Sequence, residues 1–219
     1  MHNFFGRRLY AIIDLNYVSV EQAPAVLRKL IDGGIDVVQL RGKGRRLDEL
    51  NALAGQLLEQ TAAARVPFIV NDHAAVANRL ELQGVHVGQD DDSIEQVRDA
   101  VNRPIIVGKS THSLSQAIAA EREGADYIGF GPLFATPTKP DYKPIGLNEI
   151  REVHLQVKIP IFCIGGIKLE NLPQVIAAGA KRVVIVSGLL QSDEPADYAR
   201  RTKHLLGHVG DPRLENGNP

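Results

Sequence analysis

Short polar runs interrupt an otherwise apolar sequence, and their residue types suit the binding of phosphate, a metal ion and a heteroaromatic ring. The first run is Gln39-Leu40-Arg41-Gly42-Lys43. Its alternate residues share one direction if an extended strand continues through them, which sets an amide and two cations in a row. An amide can read the edge of a ring, and an arginine fork grips phosphate oxygens bidentately. The same run continues into Gly44-Arg45-Arg46 and also reads as a solvated basic turn.

Carboxylates follow. Asn71-Asp72 comes after the apolar run Val66-Pro67-Phe68-Ile69-Val70, and Gly88-Gln89-Asp90-Asp91-Asp92-Ser93 stands before a helical segment. Asp72 could cap the helix after it, and the acidic cluster could serve the positive end of a helix dipole. Facing Arg41 and Lys43, two such carboxylates have another use, because Mg²⁺ commonly takes one or two carboxylates together with phosphate oxygens.

Hydroxyls and amines are next, in Gly108-Lys109-Ser110-Thr111-His112 and in Thr136-Pro137-Thr138-Lys139-Pro140, where prolines stiffen the segment. Lys109 has no assignable partner from sequence. The last two runs, Ile164-Gly165-Gly166-Ile167 and Val186-Ser187-Gly188, join glycines to a hydroxyl. Glycine admits backbone N–H groups close to anionic oxygens, although it also simply ends strands.

The elements that must carry these runs alternate regularly. Short apolar, β-branched runs at 8–14, 36–41, 67–71, 84–88, 104–110, 126–131, 159–165 and 182–187 read as strands buried on both faces. Segments of helical period lie between and after them, at about 20–33, 46–64, 73–81, 93–101, 113–123, 147–156, 169–179 and 195–206. Gly33-Gly34, Gly84, Gly124 and Gly179 are expected to stop helices in the left-handed conformation, and Ser93 and Ser113 to cap helix starts. The same rhythm could build an open doubly wound sheet. Eight strand-helix units in 219 residues favour closure into a single-domain (β/α)8 TIM barrel over residues 1–207. In such a barrel the polar runs fall at the C-terminal strand ends, where chemistry is carried, and the last two occupy the usual phosphate position after strands 7 and 8. Residues 132–146 break the rhythm as a functional loop, and residues 208–219 read as a flexible tail.

Composition excludes several classes. A net charge of −1 offers no bulk attraction to nucleic acid or to a membrane surface. No apolar run is long enough to span a bilayer and the N-terminus lacks a signal peptide's apolar segment, so a cytoplasmic protein is expected. Cys163 is the single cysteine; between Phe162 and Ile164 it reads as core packing, with no disulfide and no thiolate metal cage. Nothing in the sequence fixes an oligomeric state.

Taken together and in order, Q-L-R-G-K, N-D, G-Q-D-D, G-K-S-T-H, G-P-L-F-A-T-P-T-K-P, I-G-G-I and V-V-I-V-S-G resemble the thiamine phosphate synthases, over residues 39–188. The T-P-T-K segment is the most specific of these. The resemblance implies Mg²⁺-assisted condensation of hydroxymethylpyrimidine pyrophosphate with hydroxyethylthiazole phosphate, giving thiamine phosphate and pyrophosphate by a dissociative route. It assigns the pyrimidine pyrophosphate to Gln39, Arg41, Lys43, Asn71, Ser110 and Lys139, and Mg²⁺ to Asp72 and Asp91. The thiazole phosphate falls to Thr136, Thr138, Gly166, Val186 and Ser187. Two rivals stand beside it. A thiazole tautomerase of the same superfamily would use His112 as acid and base, whereas in the synthase His112 would support its loop. A non-catalytic sensor of phosphorylated ligands would keep the barrel without the chemistry.

Overall fold

In the computed structural model the described residues are 4–136 and 143–207. Eight parallel strands close on themselves: β1 (Leu9–Asp14), β2 (Val37–Arg41), β3 (Phe68–Asn71), β4 (Gly84–Val87), β5 (Ile106–Thr111), β6 (Tyr127–Phe130), β7 (Ile161–Cys163) and β8 (Val183–Ile185). The ring is sealed where β1 pairs with β8, Leu9 opposite Val183 and Ala11 opposite Ile185. Closure leaves no sheet edge, and the open doubly wound alternative is set aside.

Helices follow the strands around the outside: α1 (Ala23–Asp32), α2 (Leu47–Ala64), α3 (Ala74–Arg79), α4 (Ile94–Ala100), α5 (Leu114–Arg122), α6 (Ile150–Gln156), α7 (Leu172–Ala177), a short α8 (Ser187–Leu190) and α9 (Pro195–Gly207). All eight expected helices form, most with trimmed ends and the last one residue longer. Pro173 in the first turn of α7 sets a start later than residue 169, and Pro104, lacking an N–H, stays outside β5. The additional element is α8, a single turn too brief to produce a periodic signal.

Ser93 caps α4 in a reciprocal capping box with Gln96, and Ser113 accepts from the Gln116 N–H at the start of α5, as expected. Gly34, Gly124 and Gly179 take the left-handed conformation. Gly33 and Gly84 do not. After α3 that conformation falls to Glu81, and Gly84 opens β4, where an added Cβ would lie 2.6 Å from the Ile106 carbonyl oxygen. Its lack of a side chain serves close strand approach.

The strands are buried on both faces because there are two cores. Between sheet and helices lies a large aliphatic layer including Leu27, Leu40, Leu57, Val97 and Ile128. Inside the barrel the inward residues Tyr10, Ile12, Val37, Ile69, Ile106, Tyr127, Phe162 and Val184 fill the lumen, and Phe4 plugs its lower end, stacked on Tyr127 at 5.0 Å between ring centroids. The barrel is therefore solid below, and its lumen opens at the C-terminal mouth. Cys163 is fully buried on the helix-facing side, as core packing requires. Residues 208–219, expected as a tail, lie outside the described residues. Among the described residues no helix is long and apolar enough to cross a membrane.

Candidate active site

A pocket opens at the C-terminal mouth. Gln39, Arg41, Asn71, Ser110, His112, Thr136, Gly166, Val186 and Ser187 all line it. Parallel strands all end on the same side, which is why runs far apart in sequence meet there.

On β2 the alternation holds for two residues and then stops. Gln39 and Arg41 face the lumen and are buried, whereas the strand ends at Arg41 and Lys43 stands on the following turn, exposed. Lys43 thus does not continue their row; its Nζ instead lies 4.0 Å from Asp91 Oδ1. Arg41 donates from Nη1 to Asp14 Oδ2 at 2.7 Å, an ion pair whose side chains are 10% and 1% exposed. Asp14, at the end of β1, also accepts from the Asn16 N–H at 3.0 Å. It fixes one edge of the guanidinium.

The two carboxylates meet. Asp72 follows β3 with φ of +63°, and its N–H donates to the His86 carbonyl on β4 at 2.9 Å. This left-handed turn is tolerated by a short polar side chain, and it keeps Asp72 out of the cap position of α3, which falls to His73. Asp72 Oδ1 is buried with no hydrogen-bond partner. Burial, together with a hydrogen bond and charge from Asp91, pushes the Asp72 carboxyl up to about 6 against the pull of Lys43 and Arg41. Among the three adjacent aspartates, Asp90 and Asp92 are exposed and Asp91 turns inward. Its Oδ2 accepts from the Gly88 N–H at 2.9 Å, an approach that needs glycine, since an added Cβ would sit 2.7 Å from that oxygen. Helix capping is already met by Ser93.

On β5, Ser110 points inward with its Oγ 3.0 Å from His86 Nε2. Its neighbours do structural work: Thr111 Oγ1 donates to the Gly129 carbonyl, and Lys109 turns outward to lie 3.9 Å from Glu123. His112 donates from Nδ1 to the Gly131 carbonyl at the root of the loop that carries Thr136, and its N–H donates to Gln116 Oε1. Thr138 and Lys139 lie outside the described residues.

Opposite these groups stands the glycine-rich wall. Gly165 and Gly166 have φ of +97° and +65°, and an added Cβ would lie 2.4 Å from Pro132 and 2.7 Å from Phe134 respectively. The segment after β6 lies directly on them, with the Leu133 and Phe134 N–H groups donating to the Ile164 and Gly165 carbonyls. Beyond β8, Val186 precedes and Ser187 begins α8 at the pocket wall. Barrels commonly bind phosphate at a short extra helix in this position.

Asp14, Tyr10, His86 and Tyr127 are polar groups in or under the pocket that motif reading passes over. Each sits in a run read as ordinary strand; a charge such as Asp14 in an otherwise apolar strand is the signal that marks the first.

A family model described as "Thiamine monophosphate synthase" matches residues 9–189. A thiamine-phosphate synthase from Chloroflexus aurantiacus is 40% identical over 200 residues, covering 91% of this chain and 92% of that protein. One from Shouchella clausii is 41% identical over 184 residues, covering 84% and 88%. The solved thiamine phosphate pyrophosphorylase from Pyrococcus furiosus superposes with a TM-score of 0.84 at 29% identity, covering 93% of this chain and 97% of that one. With a family match over most of its length and relatives of this identity, the chain belongs to the thiamine monophosphate synthase family.

Proposed function

We propose that this enzyme joins hydroxymethylpyrimidine pyrophosphate to hydroxyethylthiazole phosphate, releasing thiamine phosphate and pyrophosphate. The observation that carries the reading is the pairing of two chemically different ends at the C-terminal mouth: Arg41 in the pocket wall with Lys43 and the adjoining Asp72 and Asp91 beside it, and a glycine-rich wall with Ser187 across the pocket.

The carboxylate pair fits Mg²⁺. Asp72 and Asp91 are close enough to raise one another's affinity for a cation, and the buried Asp72 Oδ1 lacks a partner. When bound there, Mg²⁺ would neutralise charge on the pyrophosphate. Arg41 and Lys43, with Lys139 from the outlying segment, would bind the pyrophosphate oxygens and stabilise the charge that grows as the leaving group departs. Gln39 and Asn71 would orient the pyrimidine. Gly166, Val186, Ser187, Thr136 and Thr138 would hold the thiazole phosphate so that the thiazole nitrogen faces the pyrimidine methylene. In a dissociative route the nitrogen captures the carbocation left behind, and no protein nucleophile takes part. Cys163 fits that role of bystander: burial pushes its thiol up to about 12, and it faces away from the mouth.

The tautomerase alternative requires His112 to shuttle protons. Its Nδ1 donates to the Gly131 carbonyl at the root of the loop, so proton transfer by His112 would have to use Nε2. Incubating the protein with both substrates and Mg²⁺ should yield thiamine phosphate and pyrophosphate in equal amounts. Tight binding of both substrates without product would favour a sensor, and conversion of a thiazole carboxylate without metal would favour the tautomerase.

A further inference from the structure

From the pocket floor an unbroken chain of buried and half-buried polar side chains runs across the lumen. Gln39 Nε2 donates to Tyr10 Oη at 2.8 Å, Tyr10 Oη lies 3.0 Å from Tyr127 Oη, and Tyr127 Oη lies 3.1 Å from His86 Nδ1. His86 Nε2 then meets Ser110 Oγ at 3.0 Å. Both ends, Gln39 and Ser110, line the pocket, as does the half-buried His86, whereas both tyrosines are about 1% exposed.

With His86 neutral, a chain of this kind has two self-consistent orders. Burial holds both phenols protonated, well above their ordinary range, so each has one hydrogen to give and each oxygen can accept. Because Gln39 donates to Tyr10, Tyr10 gives its hydrogen to Tyr127 and Tyr127 gives its own to His86 Nδ1. His86 then carries its proton on Nε2 and donates to Ser110 Oγ. In the reverse order the Gln39 amide is turned over and Ser110 donates downward. Either way the choice at one end fixes the other, since a mismatch would leave a buried donor or acceptor unmet.

We propose that Tyr10, Tyr127 and His86 are positioning residues that lock the Gln39 amide with its carbonyl toward the ligand and the Ser110 hydroxyl hydrogen toward the ligand. The pocket floor then presents an acceptor at β2 and a donor at β5. This selects a nitrogen heterocycle bearing an amino group, a donor, over its oxo counterpart, an acceptor. The choice of probe rests on the synthase reading; the hydrogen order itself does not.

Long-range ¹H–¹⁵N NMR of the ligand-free protein reads the order directly. The expected result is a neutral His86 protonated on Nε2, and protonation on Nδ1 overturns the proposal. Tyr127→Phe breaks the chain at its centre and should raise KM, or the calorimetric Kd, for the aminopyrimidine pyrophosphate about tenfold, the size of one lost hydrogen bond. kcat and KM for the thiazole phosphate should stay within about twofold, and the preference for amino over oxo analogues should shrink by a similar factor. An unchanged preference, or a parallel loss in both substrates, overturns it. Tyr10→Phe carries the same expectation should the first variant fold poorly. If wild-type protein forms no thiamine phosphate, the His86 tautomer and probe binding still decide this inference separately from the synthase reading.

Discussion

Replacing Asp72 by asparagine should make the metal-free protein more stable while abolishing its response to Mg²⁺. The carboxyl's rise from 3.8 to about 6 corresponds to about 3 kcal/mol of penalty on the charged form. Asp72 is only partly buried, and solvent screening discounts this to about 1.5 kcal/mol. A folded-state value above the unfolded one means that stability is lost as pH rises, from about 4 through about 6, and that the full penalty persists above. An asparagine side chain at this position carries no charge to penalise and keeps the φ of +63° at little cost. At pH 8 without metal, Asp72→Asn should therefore melt about 3–6 °C higher than wild type, with the gap narrowing towards pH 5. Thermal unfolding followed by circular dichroism, with and without Mg²⁺, measures both effects. Wild type should gain stability with Mg²⁺ by mass action, and the variant should lose that gain together with most metal-dependent turnover. A variant less stable than wild type at pH 8, or one that responds equally to Mg²⁺, would refute the carboxylate pair as the cation site.

Three further substitutions probe the rest of the mouth. Ser187→Ala should raise KM for the thiazole phosphate more than KM for the pyrimidine substrate in steady-state kinetics, and the opposite ordering would exchange the two sites. Asp14→Ala strands Arg41 as a buried, unpaired cation, so chemical denaturation should show a loss of about 3 kcal/mol or more, with pyrimidine pyrophosphate binding weakened in calorimetry. Gly166→Ala forces a Cβ into φ of +65° and against Phe134; a loss of about 2 kcal/mol and a raised KM for the thiazole phosphate should appear in melting and kinetic measurements.

Strand-helix alternation was legible because a parallel strand buried on both faces leaves an apolar run bounded by helical period. That same burial hides polar residues whose function is inside the barrel. Tyr10, His86 and Tyr127 each sit within such runs, and their connection spans 117 residues between Tyr10 and Tyr127. No local pattern records that distance. Arg41 and the two aspartates could be read as site residues because they fall at strand ends, but the reason Arg41 is aimed, its bond to Asp14 27 residues earlier, is tertiary. Lys43 was misplaced in direction because the extended conformation ends at Arg41. Gly84 shows the converse error: a glycine read as a helix stop is instead demanded by the neighbouring strand backbone.

Crystals grown with Mn²⁺ in place of Mg²⁺, pyrophosphate and hydroxyethylthiazole phosphate would give the most direct measurement, the anomalous position of the metal relative to the two anions. The expected peak is bonded to carboxylate oxygens of Asp72 and Asp91, with pyrophosphate between it and Arg41 and the thiazole phosphate against Gly166 and Ser187. A metal away from both aspartates, or pyrophosphate seated on the Ser187 wall, would contradict the two-ended pocket.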